Sequence, residues 1–140
     1  DPEMSRGLGD VYKRQEKNID ITEDATFYET YSKAASVIIE YRAAVIHVYN
    51  SRNRDIIEKY LHNTTEYLVG LFVKKYSKDH KLTEDDREYI TCFYSYSIVG
   101  IVSRWIGEGM PPYDKDLIKR FSESFDATID TMINLCEANN

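Results

Sequence analysis

Residues 83–107 decide the fold of this chain, and they read TEDDREYITCFYSYSIVGIVSRWIG. Thr83 is a favourable helix N-cap, and the acidic run Glu84–Asp86 suits the positive end of a helix dipole. Apolar residues then recur at helical spacing, but they cover more than one stripe. They are Ile90, Phe93, Tyr94, Ile98, Val99, Ile101, Val102, Trp105 and Ile106. One stripe suffices to pack against the rest of a domain, so the second predicts another partner, most simply a second copy of the chain.

The residues that follow predict a turn and one more long helix. Gly107, Gly109 and the pair Pro111–Pro112 end the first helix at about residue 108. Asp114 is expected to cap the next helix, over about residues 115–136. Its apolar seam consists of Leu117, Ile118, Phe121, Phe125, Ile129, Met132 and Ile133.

The helical period also runs through the residues upstream. Thr22 is expected to cap a first helix that ends near Glu40. A short helix follows over residues 43–49 and a long one over residues 54–77. The short helix is apolar except for His47, so we expect it to be buried on all sides. No segment alternates as a strand does, and the sequence therefore predicts an all-α fold of five helices.

Composition excludes several classes of protein. The chain has 140 residues with a net charge of -6, which opposes direct contact with DNA phosphates. No apolar run is long enough to span a membrane and no signal peptide is visible, so a cytoplasmic location without membrane contact is expected. The two cysteines, Cys92 and Cys136, have no CxxC spacing and are expected to be reduced.

The sequence also lacks the signatures of catalysis. There is no GxSxG, no HExxH and no Gly-rich phosphate loop. His47, His62 and His80 are too scattered to form a set of metal ligands. We therefore expect no enzyme, no bound metal and no cofactor.

The first fifteen residues differ from the rest. Residues 5–15, SRGLGDVYKRQ, resemble the translation of a transposon-based sequencing adapter. Residues 1–15 are accordingly expected to be a non-native, disordered tail, and residues 16–140 to be the domain. On this interpretation, whatever sequence originally preceded Glu16 is missing.

Four stretches resemble the C-terminal region of TetR/AcrR-type regulators, most closely the Firmicutes-type subgroup. They are YRAAVIHVYN (41–50), FYSYSIVGIV (93–102), WIGEGMP (105–111) and FSESF (121–125). The likeness extends over about residues 25–136. It implies a regulatory domain whose last two helices pair with those of a second subunit in a four-helix dimer interface. The preceding helices would enclose an effector pocket.

The resemblance also implies partners and sites. An intact repressor of this type would be a homodimer that binds operator DNA only through an N-terminal helix-turn-helix, which is missing here. The effector would be a small apolar or aromatic molecule, or instead a protein partner. Residues expected to bind the ligand are His47, Tyr60, Thr64, Tyr67, Tyr94 and Ile98. Residues expected at the dimer interface are Phe93, Val99, Gly100, Val102, Trp105, Phe121, Phe125, Ile129 and Met132.

One alternative to effector sensing stays open from the sequence. Packing in the core accounts for each of the proposed ligand-binding residues taken singly, and only their clustering on facing helices indicates a pocket. Without that pocket, the domain would be a helical module that binds a protein partner. A cavity among these helices would favour effector sensing.

Overall fold

Five α-helices make up most of the residues that the structure describes. A computed structural model describes residues 24–112 and 116–140, and no strand occurs in these two ranges. The helices are α1 (Phe27–Glu40), α2 (Arg42–Tyr49), α3 (Arg54–Tyr76), α4 (Glu84–Gly107) and α5 (Leu117–Ala138). The predicted all-α fold of five helices is confirmed. The tail expected at residues 1–15 lies outside the described residues.

Helix α1 is capped by Thr26, whose side-chain Oγ1 accepts a hydrogen bond from the Glu29 amide at 3.1 Å. This bond satisfies one of the amide groups that a helix start leaves without a partner. Thr22, the expected cap, lies outside the described residues. Helix α1 buries one face, made by Phe27, Tyr31, Ala34, Val37 and Ile38.

Helix α2 follows α1 after a single residue, Tyr41. It buries Val45, Val48 and Tyr49, but His47 is exposed. The expectation that this helix is buried on all sides is wrong. It packs on α3 and α4 from one side, and the residues on the opposite side face outward although most of them are apolar.

Helices α3 and α4 pack against each other more extensively than any other two helices. The predicted start of α4 is confirmed, because Thr83 and Asp86 form a reciprocal capping box. The Thr83 side chain accepts from the Asp86 amide, and the Asp86 carboxylate accepts from the Thr83 amide, each at 3.0 Å.

The turn between α4 and α5 contains two residues with positive φ, Gly109 at 86° and Met110 at 56°. The second is unusual for a residue with a side chain, and it directs Met110 into the interior, where 4% of its surface is exposed. Asp116 caps α5 by accepting from the amides of Ile118 and Lys119. The expected cap, Asp114, lies outside the described residues.

Aromatic rings from four helices form the centre of the core. Phe125 of α5 stacks on Phe27 of α1 with ring centroids 4.7 Å apart and meets the edge of Tyr94 of α4 at 4.8 Å. Phe72 of α3 packs edge-on against Phe27 at 5.6 Å. This cluster joins α1, α3, α4 and α5 and leaves a separate space toward the other end of the domain.

Candidate functional site

That space is a cavity of about 480 Å³ between α1, α3, the end of α4 and the start of α5. A cavity of this size is within the range of sites that hold small molecules. Its walls are Tyr31, Ala34, Ala35, Ile38, Ile39, Arg42, Tyr60, Leu61, Thr64, Thr65, Val102, Trp105, Met110, Pro111, Pro112, Asp116, Leu117, Ile118 and Phe121. Most of these side chains are apolar, so the cavity suits a ligand with a large apolar surface.

Small side chains on α1 and a fixed turn after α4 create this space. Ala34 and Ala35 face the cavity, where longer side chains would fill it. The opposite wall is held in place by Arg42, whose guanidinium donates to the carbonyls of Gly109 at 2.8 Å and Met110 at 3.2 Å. These bonds hold the α4–α5 turn in place. This wall of the cavity therefore depends on contacts between Arg42 and residues that are distant from it in sequence.

The indole of Trp105 holds Pro111, which belongs to the same wall of the cavity. Its Nε1–H donates to the carbonyl of Pro111 at 2.8 Å. Trp105 itself is half-buried and lines the cavity. The end of α4 and the turn that follows therefore form one surface facing α1 and α3.

Two hydroxyl groups on α3 are buried at the cavity without a hydrogen bond. Tyr60 and Thr64 are each 7% exposed, and neither Tyr60 Oη nor Thr64 Oγ1 has a hydrogen-bond partner among the described residues. A buried hydroxyl without a partner costs about 1–3 kcal/mol, so native proteins rarely leave one. A third hydroxyl, Tyr31 Oη, differs because it pairs with Thr65 Oγ1 at 3.0 Å.

Burial raises the pKa of two phenols at the cavity. It raises the pKa of Tyr31 to about 12, against a smaller opposing effect of the hydrogen bond with Thr65. Burial also raises the pKa of Tyr60, and the nearby Thr64 hydroxyl opposes part of the rise, although the two groups do not reach the geometry of a hydrogen bond. Both side chains are therefore neutral at physiological pH.

The charged residues of the wall, Arg42 and Asp116, are exposed. Arg42 is occupied by the carbonyls of the turn, and Asp116 by the first amides of α5. Asp116 also accepts a hydrogen bond from the Tyr28 hydroxyl at 2.9 Å. The interior of the cavity thus offers hydroxyls but no buried charge.

Of the six residues expected to bind a ligand, Tyr60 and Thr64 line the cavity. Tyr67 lies three residues beyond Thr64 on α3 and does not line the cavity, and Ile98 is in the core. Tyr94 is buried, and its hydroxyl pairs with Thr128 Oγ1 at 2.6 Å. His47 is exposed on α2, so it is not a cavity residue.

This cavity also lies elsewhere than the sequence predicts. The sequence placed it between the short helix, α3 and α4, whereas it lies between α1, α3 and the α4–α5 turn. The residues missed were Tyr31 and the alanines of α1, Arg42, and the turn Met110–Pro112. Met110 is turned inward by positive φ values at residues 109 and 110. The only sign of this conformation in the sequence is the glycine at position 109.

The nine residues expected at a dimer interface fall into two groups. Phe93, with 48% of its surface exposed, and Gly100 face outward, while Trp105 and Met132 are half-buried. The others are buried within the single chain and are therefore not accessible to a second one. They are Val99, Val102, Phe121, Phe125 and Ile129.

A second apolar surface does lie on the outside of α4 and α5. We call it the outer face; its large apolar members are Tyr89, Phe93, Tyr96, Ile101 and Leu135, each between 46% and 61% exposed. Gly100 lies within it, and a Cβ added there would meet no atom within 4 Å. The prediction that α4 is apolar on two sides is confirmed.

Comparison with known proteins identifies the family. A family model for the TetR-type transcriptional regulator C-terminal region matches residues 25–127, well over half of the chain. The chain belongs to this family. No curated protein and no solved structure matches the sequence.

Membership makes this chain part of a transcriptional regulator, a class of protein that is not enzymatic. The TetR-type match begins just before α1 and extends into α5, so it covers both the cavity and most of the outer face. Across residues 24–112 and 116–140, no helix has the length and apolar character to cross a membrane. The same residues contain no group of His, Cys, Asp or Glu side chains arranged to hold a metal ion.

Proposed function

We propose that this TetR-type domain senses a small apolar effector in the cavity between α1 and α3 and forms a homodimer through the outer face. The observation that carries the effector part is the cavity of about 480 Å³ with two buried hydroxyls that lack partners. A bundle that only binds protein partners needs no such apolar pocket with buried hydroxyls. The cavity therefore favours effector sensing over the partner-binding alternative.

The position of the cavity supports the proposal that ligand binding changes the geometry of the dimer. Trp105 at the end of α4 and Leu117 at the start of α5 both line it, and these two helices carry the outer face. A ligand that shifts the turn between them changes the relative position of the helices proposed to pair. By linkage, dimer geometry and ligand affinity then influence each other.

DNA binding in this proposal belongs to a helix-turn-helix outside residues 24–140. The net charge of -6 opposes phosphate contacts by the domain itself. Effector binding would shift the population of dimers between geometries that fit and do not fit the operator.

Filling the cavity tests the effector part. Ala35→Phe places a ring in the cavity, whereas Ala43→Phe adds the same ring on the exposed side of α2. The neutral dye phenylnaphthylamine, whose fluorescence rises in apolar surroundings, serves as the probe. We expect Ala35→Phe to weaken dye binding about tenfold or more, because the ring occupies the volume the dye needs. Equal binding by both variants, or no binding by the unmodified protein, contradicts the proposal.

The outer face has the dimensions of a dimer interface. Helix α4 has 24 residues, which gives a length of about 36 Å at about 1.5 Å per residue. Two such helices from each chain are sufficient for a standard interface of about 1,600 Å². Aromatic residues such as Tyr89 and Phe93, whose rings lie 6.3 Å apart, are the type enriched at such interfaces.

Sedimentation velocity tests the dimer. Phe93→Asp places an unpaired charge in the outer face, and we expect it to weaken the dimer about a hundredfold. His47→Asp, an exposed change on α2, is the matched control and should leave the dimer intact. A stable monomer of the unmodified protein at micromolar concentration refutes this part.

A further inference from the structure

The two hydroxyls without partners allow a statement about ligand chemistry, which rests on the proposed effector role of the cavity. We propose that the cavity selects uncharged, largely apolar molecules that carry one hydroxyl or carbonyl oxygen, and that Tyr60 and Thr64 bind that oxygen.

The positions of the two residues make a shared ligand atom geometrically reasonable. Tyr60 and Thr64 are four residues apart on α3, so their side chains lie one turn apart on the same face, about 5–6 Å between Cβ atoms. Both line the cavity and both are 7% exposed. Both hydroxyls are buried and neither has a hydrogen-bond partner among the described residues, so each keeps its donor available.

One oxygen satisfies both groups. A carbonyl oxygen has two lone pairs and accepts one hydrogen bond from Tyr60 Oη and one from Thr64 Oγ1. A ligand hydroxyl accepts from one and donates to the other. An alkane leaves both hydroxyls as they are, so it gains only from burial of its apolar surface.

A charge on the ligand should weaken its binding in this cavity. The charged residues of the wall, Arg42 and Asp116, are exposed and already bonded, to the carbonyls of Gly109 and Met110 and to the first amides of α5. Burial raises the pKa of Tyr31 and of Tyr60, so both remain uncharged donors. A carboxylate or an ammonium group at the inner end of the cavity would lose water without gaining an opposite charge.

Four molecules on one ring system separate these effects. Naphthalene carries no polar atom, acetylnaphthalene carries one carbonyl, naphthoate is an anion and naphthylmethylammonium is a cation. Displacement of phenylnaphthylamine from the full chain gives the affinity of each. We expect acetylnaphthalene to bind about tenfold tighter than naphthalene, since one net hydrogen bond is equivalent to about a factor of ten. Both charged molecules should bind at least about tenfold more weakly than acetylnaphthalene.

Variants assign the preference to the two hydroxyls. Tyr60→Phe and Thr64→Val remove one hydroxyl each with little change of shape, and each should reduce the preference for acetylnaphthalene over naphthalene. The melting temperature of Tyr60→Phe should hold or rise, because the hydroxyl removed has no partner.

Tyr94→Phe is the matched control, since it removes a hydroxyl that pairs with Thr128. It should lower the melting temperature and leave the preference unchanged. If dye binds and is displaced equally well by naphthalene and acetylnaphthalene, the inference is overturned while the effector proposal stands. If Tyr60→Phe and Thr64→Val both retain the preference, the assignment to these residues is overturned. If neither the dye nor any of the four molecules binds, the effector proposal itself fails.

Discussion

Replacing Phe125 by alanine should destabilise the fold more than any exposed aromatic substitution. The ring is 1% exposed and contacts four other rings. Phe27 and Tyr94 are its nearest neighbours, with centroids at 4.7 and 4.8 Å, while Tyr76 and Phe72 lie at 6.1 and 6.5 Å. Because these rings come from α1, α3 and α4, removal of Phe125 from α5 leaves a void where all four helices meet.

The expected loss follows from that burial. Deletion of a buried phenylalanine ring costs about 3–5 kcal/mol, which combines lost apolar burial with the cavity left behind. Domains of this size have a total free energy of unfolding of about 5–15 kcal/mol. At roughly 4 °C per kcal/mol, Phe125→Ala should lower the melting temperature by about 12–20 °C.

Thermal unfolding followed by circular dichroism measures this loss, with Phe93→Ala as the matched control. Phe93 is 48% exposed on the outer face, so its removal should cost the single chain little. Any stability lost in Phe93→Ala should depend on protein concentration, since it reflects weaker association, whereas the loss in Phe125→Ala should not. A melting temperature of Phe125→Ala within a few degrees of the unmodified protein would refute the reasoning.

Three further substitutions probe other features. Gly100→Ala should stabilise α4 by up to about 1 kcal/mol, since a Cβ there meets no atom in the single chain, but it should weaken the dimer in sedimentation if the outer faces approach closely. Gly109→Ala should lower stability by about 1–2 kcal/mol in denaturant titrations, because φ is 86° there; an unchanged midpoint would contradict this. The hydrogen bond with His80 lowers the pKa of Glu137 below 4.5. The ionised carboxylate therefore stabilises the fold above pH 4.5, and this contribution is lost as the pH falls through the lowered pKa of the folded state. Glu137→Gln should therefore lose less melting temperature on acidification than the unmodified protein, and identical pH profiles would exclude this role.

The sequence predicts the helices of this domain well because their signals are local. Thr83 and Asp86 form the capping box that a threonine before an acidic run indicates. The start of α5 was placed two residues early, at Asp114 instead of Asp116, because two nearby aspartates are equally good caps in sequence. Such ambiguity changes a boundary but not the fold.

Surfaces were harder to assign than helices. Phe93 and Val99 both belong to the apolar pattern of α4, but six residues rotate a helix by about 600°, which puts them on different sides. The structure shows Phe93 outside and Val99 in the core. The sequence therefore predicts that a second apolar stripe exists. Which residues belong to it depends on which side of α4 faces α3, and the sequence alone does not give that orientation.

The cavity was only partly predictable. The sequence predicts Tyr60 and Thr64 as pocket residues because the candidate residues cluster on facing helices. Ala35 and Met110 were missed, since an empty volume depends on how far apart helices are held by contacts such as that between Arg42 and the α4–α5 turn. Contacts between residues 68 positions apart leave no periodic pattern.

The placement of α1 connects the cavity to the aromatic core. Its 14 residues span about 20 Å, with cavity-lining residues concentrated in its second half and Phe27 at its far end. A tilt of about 5° pivoting at Glu40 displaces Phe27 by about 2 Å over that length. Since Phe27 stacks directly on Phe125, such a tilt also moves α5. A ligand that moves α1 away from α3 would therefore also shift α5 through the contact between Phe27 and Phe125.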